Sequence, residues 1–159
     1  MHIRRTILAA SLAFTALVAV PTLGLAAADP FPNGCVSCHV VDKAKGTDHR
    51  LSTALAQWTA GKVSPDLLAK AKASAPAGVT LKGKHPSAKD ALEDIPGACL
   101  DCHDPGSTKA PPFAQLLHLV HLVGAEKNAY VTTFKGDCTH CHKLNAQTGE
   151  WSMPGGAEQ

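Results

Sequence analysis

The sequence predicts a mostly α-helical domain with extensive loops and little or no β-sheet, folded around large bodies that are not its own side chains. Three observations predict this. Segments with helix-start and helix-stop residues recur along the chain, and no stretch alternates apolar and polar residues as a half-buried strand does. Glycine and proline, 13 and 11 of 159 residues, punctuate the intervals between those segments. Beyond the first 28 residues the aromatic side chains are Phe31, Trp58, Phe113, Tyr130, Phe134 and Trp151. So few large groups leave a domain of this size short of material for its own core.

The elements follow in order. Met1 to Arg5 is a short basic start, Thr6 to Leu25 is apolar and uncharged, and Ala26-Ala27-Ala28 offers small residues to a signal peptidase. Residues 1–28 therefore read as a cleaved signal peptide and 29–159 as one domain. An apolar run of this length also suits a membrane anchor, but Pro21, Gly24 and the polar, Pro-rich stretch that follows favour removal, leaving no span in the mature protein. Asp29 to Gly34 is an irregular arm. Leu51 to Ala60 reads as a helix, and so does Ser64 to Ala75, with Ser64 at the cap, Pro65 at the first helical position and Pro76 just beyond. A short helix is expected from Ser87 to Glu93, and another from Pro112 to Gly124.

Charge excludes some functions. The chain holds 15 Lys+Arg and 13 Asp+Glu; Arg4 and Arg5 leave with the signal, so the mature polypeptide is formally neutral. It carries neither a nucleic-acid footprint nor a polyanionic tail.

All six cysteines fall into one pattern, repeated three times: Cys35-Val36-Ser37-Cys38-His39, Cys99-Leu100-Asp101-Cys102-His103 and Cys138-Thr139-His140-Cys141-His142. C-x-x-C-H is the attachment signature of c-type haem. Two thiols add across the two porphyrin vinyl groups, two intervening residues set the reach between them, and the following histidine falls under the iron as proximal ligand. A disulfide framework gives no reason for a histidine after every second cysteine. A zinc ribbon has no use for a third identical unit, and a thioredoxin-like pair would be single and set in a βαβ pattern. Three covalently attached c haems are therefore expected on Cys35, Cys38, Cys99, Cys102, Cys138 and Cys141, with His39, His103 and His142 as proximal ligands. Such haem is attached outside the cytoplasm to a chain exported unfolded, which agrees with the signal peptide. Haem propionates would make the loaded protein acidic, suiting partners with basic or mixed surfaces.

Six-coordinate irons need three further ligands. His118 and His121 lie three apart in the Pro112–Gly124 helix among leucines, so both imidazoles project from one side, with no acidic residue at i±4 to hold them charged. They are expected to ligate two different haems. His85, fixed beside Pro86, is the favoured ligand of the remaining haem; His49, which also reads as a helix-start residue, and Met153, in the Pro- and Gly-rich tail, are the alternatives. His140, inside the third motif, should point away from its own iron. Because 34 residues separate the second and third motifs and 59 separate the first and second, the second and third haems are expected to share the His118/His121 helix.

These residues resemble those of the class III, bis-His multihaem cytochromes c. The H-x-x-H pair is matched by His118-Leu119-Val120-His121, and His85-Pro86 followed by Cys99-Leu100-Asp101-Cys102-His103-Asp104-Pro105 is similar to a repeat pattern of multihaem cytochromes whose leading histidine is a distal ligand. Here the H-x-x-H pair follows two attachment motifs instead of leading the chain, Pro86 directly follows His85, and Gly106 stands where the repeat often has another histidine. The resemblance covers the haem-bearing segments, not Leu51 to Ala75. It implies a small fold wrapped around its haems. The expected function is a low-potential electron carrier in the periplasm, with extracellular or peripheral membrane locations as alternatives. Its partners would be redox proteins such as other cytochromes or membrane quinol-linked complexes. A small reductase with one open haem site, or an electron-transfer subunit of a larger membrane-associated complex, is the alternative.

Overall fold

A computed structural model of the chain describes residues 28–159. The expected signal peptide lies outside them, Ala28 excepted. The described residues are mostly helix and loop, and their sheet is confined to two small antiparallel pairs. None of their helices is long and apolar enough to cross a membrane.

The arm from Asp29 leads into a single turn, α1 (Cys35–Cys38). Gly34 before it has φ +54°, and a Cβ there would sit 2.6 Å from the Pro154 carbonyl oxygen, so only glycine fits this crossing. A hairpin follows, β1 (Val41–Asp42) pairing with β2 (Thr47–Asp48). It was not expected, because two-residue strands are too short to show alternation. Its turn is held by Asp42, whose carboxylate accepts the amides of Ala44 and Lys45.

Helix α2 (Leu51–Thr59) starts after Arg50 with no side-chain cap from its own sequence. The Glu158 carboxylate, from the far end of the chain, accepts the Ser52 amide at 3.0 and 3.2 Å. It satisfies a first-turn donor and places negative charge at the helix N-terminus. Helix α3 (Pro65–Ala73) is built as its sequence reads: the Ser64 hydroxyl accepts the Leu67 amide, Pro65 occupies the first turn, and Lys70 pairs with Asp66 at 3.0 Å one turn back. The helix expected over Ser87–Glu93 is a 3-10 segment, Lys89–Glu93, leading through a second 3-10 turn into α4 (Leu100–His103).

Helix α5 (Phe113–Leu122) packs on α3 and on α6 (Ala129–Phe134). One buried side chain joins α5 to α6. Asn128 donates from Nδ2 to the Val120 and Val123 carbonyls, both at 2.9 Å, and its Oδ1 accepts the Tyr130 amide at 3.0 Å. It satisfies the end of one helix and the start of the next. A second hairpin, β3 (Lys143–Leu144) with β4 (Trp151–Ser152), precedes the tail. There the backbone of Gly156 exchanges two hydrogen bonds with Ile95, at 2.8 and 2.9 Å, and the Glu158 amide reaches the Leu92 carbonyl.

The aliphatic side chains buried among the described residues are Val36 and Ile95. Helix α5 presents Phe113, Leu116, Leu117, Leu119, Val120 and Leu122, yet none of its residues is buried. Protein alone leaves these apolar faces half covered.

Candidate functional site

Each cysteine motif is wound into a helical turn. The His39 amide donates to the Cys35 carbonyl at 2.9 Å and the His142 amide to the Cys138 carbonyl at 2.8 Å, while Cys99 to His103 runs from a 3-10 turn into α4. One turn sets residues three and four apart on one side, so both thiols and the imidazole of a motif face the same space. None of the six cysteines is paired in a disulfide. Burial pushes the Cys35 thiol up to about 11 and raises Cys38 and Cys99 as well; for Cys35 and Cys38 the Cys141 thiol is the second cause. The first and third motifs therefore adjoin. Their contact continues in an aromatic cluster, with Phe31 edge-on to His140 at 4.5 Å between ring centres and Phe134 and Tyr130 closing around them.

Each motif histidine faces a distant histidine. His39 pairs with His121 at 6.3 Å between ring centres, His103 with His85 at 6.0 Å, and His142 with His118 at 6.1 Å. An imidazole's centre lies about 1.1 Å from its nitrogen, so two imidazoles bound on opposite sides of one first-row metal ion at about 2.0–2.1 Å have centres about 6.2–6.4 Å apart. Ordinary packed rings here reach similar separations, such as Tyr130 and His140 at 6.1 Å; what sets the three pairs apart is that each joins a motif histidine to a histidine from elsewhere in the chain.

Backbone carbonyls orient four of the six rings. Nδ1 of His39 donates to the His49 carbonyl at 2.9 Å, His103 to Pro111 at 2.6 Å, His85 to Pro86 at 2.7 Å, and His121 to Leu117 at 3.0 Å. A carbonyl can only accept, so Nδ1 carries the proton and Nε2 keeps its lone pair free for a metal. Burial also depresses the His121 pKa, holding that ring neutral.

The structure sets each of the six expected histidines opposite another of them, with one rearrangement. The two histidines of α5 face the first and third motifs, where sequence separation pointed to the second and third. The reason is the docking of the arm on the third motif through Phe31, a contact between residues over a hundred positions apart. His49 contributes its carbonyl to His39 and leaves its own imidazole exposed. Met153 lines a cavity of about 180 Å³ with His103, Leu100, Pro112 and Phe113, on a site where His85 faces His103 across 6.0 Å. His140 packs among the aromatics, its buried Nδ1 lacking a partner among the described residues.

Sequence reasoning missed Tyr130 and Asn128. Tyr130 stands edge-on to His121 at 5.5 Å and donates its hydroxyl to the Asp137 carbonyl; burial, then the Cys141 thiol, raise its pKa. The Asn128-Ala129 step is a helix-start signal that would have found α6.

Among the described residues no three or more His, Cys, Asp or Glu side chains converge as a metal cage. A tetrahedral zinc site takes four such ligands; each of the three histidine pairs offers two. Compared with protein-family models, with curated proteins and with solved structures, the chain matches none.

Proposed function

We propose that the chain is an exported c-type cytochrome that carries three covalently bound haems and transfers electrons without transforming a substrate. The observation that carries this reading is the threefold pairing of a C-x-x-C-H histidine with a distant histidine, at 6.0 to 6.3 Å. The thin protein core and the half-covered face of α5 support it, since both leave apolar surface for flat, greasy bodies to cover.

Haem supplies a one-electron ferric/ferrous couple. The chain's residues do the rest. Cys35 and Cys38, Cys99 and Cys102, and Cys138 and Cys141 would anchor the three groups as thioethers. His39 with His121, His103 with His85, and His142 with His118 would hold the three irons. Two histidines on each iron would keep substrates off the metal and would hold its potential low relative to His/Met ligation. A reductase needs an axial position left free, with an acid or base beside it; three complete histidine pairs favour the carrier. Its place would be the periplasm, and its partners other redox proteins.

The test is a pyridine haemochrome assay with intact mass on the exported protein. Three c haems per chain and a low-spin reduced spectrum unmoved by carbon monoxide are expected. Fewer covalent haems, or rapid carbon monoxide binding, would overturn the reading.

A further inference from the structure

The three histidine pairs differ in how their rings are turned. The planes of His85 and His103 lie within 9° of parallel, those of His39 and His121 cross at 85°, and those of His118 and His142 stand between, at 46°. From this we infer that the three sites are electronically graded, and that the His85/His103 site favours ferric iron most and gives up its electron first. The inference rests on the bis-histidine reading above.

Each imidazole donates π density from the orbital perpendicular to its ring into an iron d orbital of matching direction. Coplanar rings both raise the same d orbital and open a gap between it and its partner. Crossed rings raise one orbital each, and the gap closes. Low-spin ferric iron has a single hole in this set, and the hole occupies the upper orbital. A wide gap therefore stabilises ferric over ferrous iron, and coplanar rings lower the potential.

The angles are held by the chain. His85 is fixed by its hydrogen bond to Pro86 and by Trp58, 6.3 Å away; His103 is fixed by its bond to the buried Pro111 and by Phe113 at 6.4 Å. In the crossed pair, His121 is tied to Leu117 one turn back and flanked by Tyr130, and His39 is tied to His49. At the site with parallel rings both Nδ1–H bonds, at 2.6 and 2.7 Å, are the shortest of the four. A stronger Nδ1–H bond makes the ring a better donor, which acts in the same direction as coplanarity. Lys82 and Lys84 beside His85 oppose both, since positive charge favours ferrous iron. They are exposed, and salt screens them over about 8 Å at physiological strength.

The experiment is electron paramagnetic resonance on the frozen, oxidised holoprotein, repeated at stepped potentials. Coplanar rings give an ordinary rhombic low-spin signal, and crossed rings give a broad, highly anisotropic one with its largest g value pushed upward. The most rhombic of the three signals should disappear in His85→Met and persist in His121→Met, which should instead abolish the most anisotropic one, the His118/His142 signal standing between them in both variants. On stepwise reduction the rhombic signal should be the last lost. Three low-spin signals of one type, survival of the most rhombic signal in His85→Met, or its loss before the others on reduction would overturn the inference and leave the three-haem reading standing. High-spin signals in the unmodified protein would overturn that reading, and the inference with it.

Discussion

The pairing of histidines predicts a pattern of non-additivity that no list of ligands gives. Helix α5 sets His118 against His142 and His121 against His39. With three six-coordinate irons contributing equally, His118→Ala or His121→Ala alone should convert about one third of the low-spin ferric signal to high spin, and the double variant about two thirds. The informative step removes a haem first. In a Cys138→Ala/Cys141→Ala background, intact mass should show two haems, and His118→Ala should then produce no further high-spin signal, because its iron is gone. In the same background His121→Ala should still convert one of the two remaining irons. A Cys35→Ala/Cys38→Ala background should reverse the two outcomes. If His118→Ala instead acts in the background lacking the third haem, the argument from ring-centre spacing fails. Silence of His118→Ala or of His121→Ala in a background lacking the second haem, Cys99→Ala/Cys102→Ala, would restore the arrangement expected from sequence separation.

Three further outcomes test how the chain holds the site. A Cβ on Gly155 would lie 1.7 Å from the Ile95 carbonyl oxygen, so Gly155→Ala should expel the tail, with loss of its backbone bonds to Ile95 and Leu92 and the Glu158 cap of α2. That is about 3–6 kcal/mol, read as a large fall in the holoprotein's thermal midpoint; an unchanged midpoint would show the tail to be dispensable. Asn128→Ala removes the cap of α6 and the Nδ2 donor to the Val120 and Val123 carbonyls, costing about 2–4 kcal/mol. Aspartate at that position, which keeps the cap but cannot donate, should recover only part of the loss in a denaturant titration. The Asp48 carboxylate is held well below its ordinary range, chiefly by Arg50 and then by Thr53. Its folded form binds fewer protons than its unfolded form, so its contribution is complete above the unfolded value of about 3.9 and is lost as pH falls below it. The midpoint difference between wild type and Asp48→Asn should be present at neutral pH and shrink steadily as pH falls below about 3.9; a difference that stays constant through that fall would assign it to something other than charge.

What the sequence made legible was what a few neighbouring residues decide. Ser64, Pro65 and Asp66 start α3 by local chemistry, and the same residues do so in the structure. The general class, mostly helix and loop, was legible for the same reason. The hairpins were not, since two-residue strands carry no period. Neither was the cap of α2, which comes from Glu158, 106 residues away from Ser52. The site divides in the same way. The C-x-x-C-H motifs are contiguous, so they could be read directly. Which distant histidine faces which motif depends on where the chain returns, and that depends on Phe31 meeting His140 and on the tail crossing Ile95.

The return of the chain also explains why one short helix reaches all three histidine pairs. Phe113, at the start of α5, lies edge-on to His103; His118 faces His142 and His121 faces His39. At 1.5 Å of rise per residue, about 4.5 Å of helix axis separates His118 from His121 and about 7.5 Å separates Phe113 from His118. The proposed first and third haems are thus held by neighbouring residues of one rigid element, and the second touches the same element through an aromatic ring. A helix that is apolar on most of its surface but buried nowhere is poorly suited to be a scaffold for protein alone. It is well suited to be a rod against which flat cofactors stack. The order of the sites along that rod then places the His85/His103 pair at one end, where the lysine-flanked His85 loop meets solvent, and the two neighbouring pairs at the other.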